Sequence, residues 1–93
     1  MIEPTPDRVL RLAPGCRLNP AGGPEDLLLI PEGALRLKGP ARAIVELCDG
    51  KRATSEIVEE LKRRYPSTDA VRIETEVTGV LELLHDRGVL EAI

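Results

Sequence analysis

This 93-residue chain is short of aromatics: it holds one tyrosine, no phenylalanine and no tryptophan. A core must therefore be filled by Leu, Val, Ile and Ala. It has two cysteines and one histidine. Cys16 and Cys48 are far apart and form no C-x-x-C, so no zinc set is legible around His85. The two cysteines read as free thiols, a mutual disulfide being the alternative. Excess positive charge is missing too. The formal charge is −3, so no global field draws the chain to nucleic acid or an anionic membrane. No apolar run approaches the ~20 residues of a membrane span. The opening MIEPTPDR lacks the basic and apolar regions of a secretory segment. The expectation is a cytoplasmic, soluble protein.

Apolar residues make up 42% of the chain, enough for one small globular domain. Residues 1–8 read as a flexible arm and 9–93 as the domain. The organising stretch is LLLIPEGALRLKGPARAIVELCDG, from Leu27 to Gly50. Leu27 to Ile30 is a short apolar run stopped by Pro31, which suits a strand. Pro31-Glu32-Gly33 is turn chemistry. Ala34 to Lys38 alternates apolar and polar, as a half-covered strand does. Gly39-Pro40 ends it, and Pro40 suits a helix start. Ala41, Ile44, Val45, Leu47 and Cys48 then fall at helical spacing, with Gly50 as the stop.

Upstream, Val9 to Leu12 alternates, Ala13-Pro14-Gly15 breaks it, and Cys16-Arg17-Leu18 can continue as a second short piece. Asn19 to Pro24 is a loop. Residues 51–93 read as helical. Thr54 or Ser55 can cap a second helix that carries Ile57, Val58, Leu61 and Tyr65 and ends at Pro66. Ser67, Thr68 or Asp69 caps a third, with a core stripe of Ile73, Val77, Val80, Leu81 and Leu84. Arg87-Gly88 stops it, and Val89-Leu90 is an apolar tail that pairs with something or closes the core. Strands followed by helices indicate α+β. The expected architecture is a small winged helix-turn-helix: three short N-terminal antiparallel strands, then three α-helices.

Three classes of function follow. A winged helix-turn-helix DNA-binding regulator is the alternative reading, but the third helix carries Asp69, Glu74, Glu76, Glu82 and Asp86 against Arg72 and Arg87. Phosphates would repel it. Lys62-Arg63-Arg64 reads as a solvated helix end. An enzyme finds little support: His85 has no nucleophile beside it in sequence, and no phosphate loop or metal-spaced carboxylate set exists. Peptide binding fits best. Ala34 to Lys38 is the last strand before the helices, and an edge strand offers its backbone to an extended peptide. Against this stands the plain reading of an edge protected by Arg36 and Lys38. Gly79, inside the third helix at a cost of ~1 kcal/mol relative to Ala, hints at a close backbone approach.

The segments LLLIPEGALRL (27–37), the helix ending LCDG (44–50), RATSEIVEEL (52–61) and the closing Val77, Leu81, Leu84, Arg87-Gly88 and Leu90 resemble the pyrroloquinoline quinone (PQQ) biosynthesis protein D family, PqqD. The resemblance covers about 17–90. The chain departs from the pattern at Val80 and Val89, packing positions where aromatics are expected. The resemblance implies a non-catalytic recognition element without a cofactor. Such an element binds the precursor peptide PqqA by strand addition and presents it to the radical SAM enzyme PqqE. Carried over by position, the docking strand is Ala34, Leu35, Arg36, Leu37 and Lys38. The opposing wall is assigned by helical geometry to Arg72, Glu76, Gly79 and Leu83. The flank with Glu74, Thr78 and His85 stays open as the other choice. A monomer and a strand-exchanged homodimer are both compatible with a bare edge strand.

Overall fold

A computed structural model describes residues 8–20 and 22–93. The arm expected at 1–8 lies outside the described residues except for Arg8. That residue is already tied in: its carbonyl accepts from the N–H and the hydroxyl of Thr54 at 2.9 and 3.1 Å.

The elements run β1 (Val9–Leu12), β2 (Arg17–Leu18), β3 (Asp26–Ile30), β4 (Gly33–Leu37), α1 (Ala41–Leu47), β5 (Asp49–Ala53), α2 (Thr54–Arg64), α3 (Ala70–Asp86) and β6 (Leu90–Ala92). The α+β class stands, with six strands rather than three. Four precede α1, one lies between α1 and α2, and one follows α3. They form two antiparallel three-stranded sheets, ordered β5-β1-β6 and β2-β3-β4.

The expectation that 51–93 is all helical therefore needs correction. Asp49–Ala53 has no period-2 alternation of its own. It becomes a strand because β1 supplies a partner some forty residues away, pairing Val9 with Ala53 and Arg11 with Asp49. Between these pairs β5 bulges opposite Leu10. Gly50, expected to stop α1, sits in that bulge with φ +78°; a Cβ there would lie 3.1 Å from the Ile93 side chain. Helix α1 stops earlier, with Cys48 as its C-cap. The tail at Val89-Leu90 does both things expected of it. Val89 and Leu90 are buried, and Leu90 pairs with Leu12.

The β3–β4 hairpin forms as its sequence indicates. Ile30 pairs with Gly33 across Pro31-Glu32, and Gly33 takes φ +150°, a conformation that L side chains rarely adopt. Leu28, opposite Leu35, is fully buried. It joins Ile44, Val45, Ile57, Leu61, Val77 and Leu90 at the centre of the core. Burying a side chain of this size contributes ~1.5–3 kcal/mol.

Of the expected caps, Asp69 holds for α3, whereas Thr54 and Ser55 both lie inside α2 and neither is its cap. Asp69 caps α3, its carboxylate accepting from Val71 N–H at 2.9 Å. The residue before α2 is Ala53, which has no side-chain acceptor. Glu56 compensates by reaching back to Ala53 N–H at 3.0 Å. The cluster Lys62-Arg63-Arg64 is matched by acids: Lys62 meets Glu74 of α3 at 2.9 Å, and Glu60 takes Arg63 and Arg64 at 3.1 and 3.0 Å. The bond to Glu74 is the main reason the Lys62 ammonium titrates above its ordinary value. Lys62 thus ties α2 to α3, while Arg63 and Arg64 pair within α2 at the surface.

Candidate functional site: an open sheet edge beside the third helix

β4 is the outer strand of its sheet, so one row of its backbone groups has no strand partner. Along it, Ala34 and Arg36 are exposed, while Leu35 and Leu37 turn inward and are half-buried. Lys38 follows, exposed. Between this edge and α3 lies a hollow of about 270 Å³, lined by Leu35, Arg36, Leu37, Ala41, Val80, Leu83, Leu84 and Arg87. Its wall is apolar, and Leu83 is 55% exposed there although it is a leucine. Arg36 and Arg87 are the charged residues of the lining. Arg36 reaches Glu25 at 3.2 Å, an exposed pair of small energetic weight.

A second hollow of about 480 Å³ opens farther along the same flank of α3. Its floor is Ile44, Leu61, Ile73 and Val77, and its rim includes Gly39, Pro40, Tyr65, Thr68, Arg72 and Glu76. Arg72 and Glu76, one turn apart on α3, pair on its rim at 3.2 Å. The expected wall residues thus divide. Leu83 faces β4, whereas Arg72 and Glu76 belong to the second hollow. Positions 72, 76, 80, 83 and 87 advance by 4, 4, 3 and 4, one stripe on a helix of 3.6 residues per turn.

Gly79 is not brought to either hollow. It shares a shallow surface with Glu74, Thr75, Thr78 and Glu82, and a Cβ added to it would meet nothing within 4 Å. The other flank, with Thr78 and His85, looks toward Arg8 and Thr54 across a smaller recess of about 220 Å³, with Glu82 and Asp86 beside it. It has no open strand edge.

Val80, Arg87 and Ala41 read from sequence as packing and helix-end residues, not as part of the site. Helical arithmetic from Leu83 gives the first two, at −3 and +4; Ala41 is placed by the corner at Gly39-Pro40. Arg42 was also missed. Its side chain is 15% exposed, and its guanidinium donates to the Asn19 side chain and carbonyl, each at 2.7 Å. Asn19 in turn accepts from Leu27 N–H and donates to the Glu25 carbonyl. Arg42 therefore holds Asn19, and with it the β2–β3–β4 sheet, against α1. An arginine inside an alternating helical pattern gives no sign of this in sequence.

Neither cysteine is disulfide-bonded. Cys48 donates to the Ile44 carbonyl at 3.3 Å, and burial, helped by the charge of Asp49, pushes its thiol to about 12. It is a packing residue and a poor nucleophile. Among the described residues, no group of three His, Cys, Asp or Glu could hold a metal ion, and no helix is long and apolar enough to cross a membrane.

Residues 25–90 match the family model described as coenzyme PQQ synthesis protein D (PqqD). That span covers both the hairpin and α3. The chain belongs to the PqqD family. A PqqA binding protein of Methylococcus capsulatus is 37% identical over 89 residues, 95% of this chain and 92% of that protein. Another, from Azotobacter vinelandii, is 38% identical over 65 residues, 70% of this chain and 68% of that protein. A solution NMR structure of the PqqD portion of Methylobacterium extorquens PqqCD superposes with a TM-score of 0.72 at 33% identity, covering 89% of this chain and 88% of that one. It is described as a functional, stand-alone recognition element for a ribosomally synthesized and post-translationally modified peptide. The heterocyclase TruD shares the fold at a TM-score of 0.63 and 24% identity, over 95% of this chain but 12% of TruD.

Proposed function

We propose that this PqqD-family chain is a non-catalytic peptide-recognition domain of PQQ biosynthesis. It takes the precursor peptide PqqA as an added strand on β4 and presents it to the radical SAM enzyme PqqE. The observation that carries this reading is the open edge of β4 lying beside an apolar hollow on α3. Backbone hydrogen bonds from Ala34 to Lys38 would supply affinity largely independent of sequence, and alternate side chains of the peptide would enter the hollow toward Leu35, Leu37 and Leu83. The PqqA-binding relatives support the identity of the peptide. The reading places the domain at 9–93 and the encounter in the cytoplasm.

Arg36 and Arg87 line the hollow with positive charge and Lys38 follows just past β4, which suits acidic residues flanking the apolar ones in the peptide. Each such exposed pair is worth ~0–1 kcal/mol, so these charges tune specificity more than affinity. The same edge suits a second copy of the chain. Monomer and strand-exchanged dimer are thus the two states to look for, with peptide displacing the partner.

The test is a titration of the full chain with PqqA peptide followed by backbone amide shifts. Saturable shifts at Ala34 to Lys38 and at Val80, Leu83 and Arg87 are expected. Saturation that moves only the Thr78–His85 flank would discard β4 as the site. No binding, with or without PqqE, would discard the function.

A further inference from the structure

The hollow at the corner after β4 is larger than the one beside it, and none of the described residues fills it. Four residues that are otherwise core make its floor: Ile44, Leu61, Ile73 and Val77 are each at most 5% exposed. Its rim begins at Gly39-Pro40, directly where β4 and Lys38 end. Its far wall is Tyr65, 43% exposed despite its ring. It neighbours the first hollow along α3, since Glu76 on its rim and Val80 in the first lining are one turn apart on the same stripe. A strand laid along all five residues of β4 covers ~17 Å. A peptide that goes on in the same direction past Leu37 crosses Gly39-Pro40 and arrives over this hollow.

We propose that this hollow is a second subsite for the same peptide. It takes one bulky apolar or aromatic side chain, carried two or three residues beyond the stretch paired with β4. This inference rests on the strand-addition reading above. The chemistry of the occupant follows from the floor, which is wholly aliphatic, and from Tyr65, which offers a ring edge to an aromatic guest. The charged residues of the lining, Arg72 and Glu76, already neutralise each other at 3.2 Å and so favour an apolar guest over a charged one. The pair can instead fold over the guest, their stems covering its apolar body.

The experiment titrates the full chain and two variants with PqqA, and with PqqA shortened from each end in turn. Thr68→Trp fills the second hollow from its exposed rim. Leu83→Arg spoils the first. With one shortened peptide, the amide shifts at Tyr65 and Thr68 should vanish while those at Ala34 to Leu37 persist. Thr68→Trp should weaken intact PqqA roughly tenfold, as loss of one buried side chain does, and leave that shortened peptide unchanged. Leu83→Arg should weaken both. Should Thr68→Trp be unstable, the shifts of the wild-type chain decide alone. Intact PqqA that binds at β4 with no shift at Tyr65 or Thr68 would overturn the second subsite and leave strand addition standing. No binding of any peptide would overturn both.

Discussion

Each three-stranded sheet ends in a five-residue edge strand, β5 in one and β4 in the other, and the two handle their spare backbone groups in different ways. On β5 the edge is closed by the strand itself. The Asp49 carboxylate accepts from Lys51 and Arg52 N–H at 2.9 and 3.1 Å, and from the Arg52 guanidinium at 2.8 Å. A bulge breaks its register against β1, and every residue between Asp49 and Ala53 is charged or glycine. Bulges and charge are the usual means of blunting an edge. β4 is regular, pairs with β3 at five successive positions without a bulge, and carries leucines beside an apolar hollow. The remaining edge strands, β2 and β6, are two and three residues long, too short to template an incoming strand. Among the described residues, one edge of four is thus left fit for pairing, and it is the one beside the exposed Leu83.

The contrast can be broken most severely from beneath. Leu28→Ala removes the fully buried leucine under β4, and should lower unfolding free energy by ~2–5 kcal/mol in urea titrations. Next comes the clamp on the open sheet. Arg42→Ala strips Asn19 of two charged donors in a half-buried setting and should lower stability by ~2–3 kcal/mol, with the largest gain in amide exchange at Leu27 to Leu29. A third change sharpens the functional side. Leu83→Arg acts at an exposed position, so its melting temperature should stay near wild type while PqqA affinity falls by roughly tenfold or more.

The closed edge is tested by pH. The Asp49 carboxyl is held below the ordinary value of 3.8, chiefly by the Lys51 N–H and then by the N–H and charge of Arg52. A lowered folded-state value means that the stabilisation is complete above pH 3.8 and is lost as pH falls through the lowered value. Asp49→Asn should therefore be less stable at neutral pH and show a shallower acid limb in denaturation from pH 5 to 2. The smallest effect belongs to Gly79. It lies in α3 with ordinary helical φ and open space around its Cβ position, so Gly79→Ala should add ~0.5–1 kcal/mol. Unchanged PqqA affinity in that variant would remove Gly79 from the peptide wall.

What could be read from sequence follows the range of the interactions. The hairpin, α1 and the stripe of α3 are set by neighbours within a few residues, and Pro31, Gly33 and Pro40 mark their corners. β5 and β6 are strands because β1 lies between them, and no local pattern reveals a partner forty or eighty residues distant. The site divides likewise. The edge strand was legible in Ala34 to Lys38, and Leu83 in the helical period. Whether Arg72, Glu76 and Gly79 share its wall depends on how α3 is rotated against β4. That rotation is fixed by burial of Ile73, Val77, Leu81 and Leu84 together, and Val80, half-buried at the margin of this set, turns the stripe toward the hairpin.

The position of β1 between β5 and β6 has a mechanical consequence. Leu10 pairs with Ala92, and Ile93 N–H donates to the Val9 carbonyl, so the start of one strand lies beside the end of the other. Tension applied at residues 9 and 93 meets those hydrogen bonds one at a time, as a zipper does, because they stand perpendicular to antiparallel strands. The β2–β3–β4 sheet bears none of that load. Under pull the chain should yield first at its ends, at low force, with the hairpin that offers the docking edge still folded.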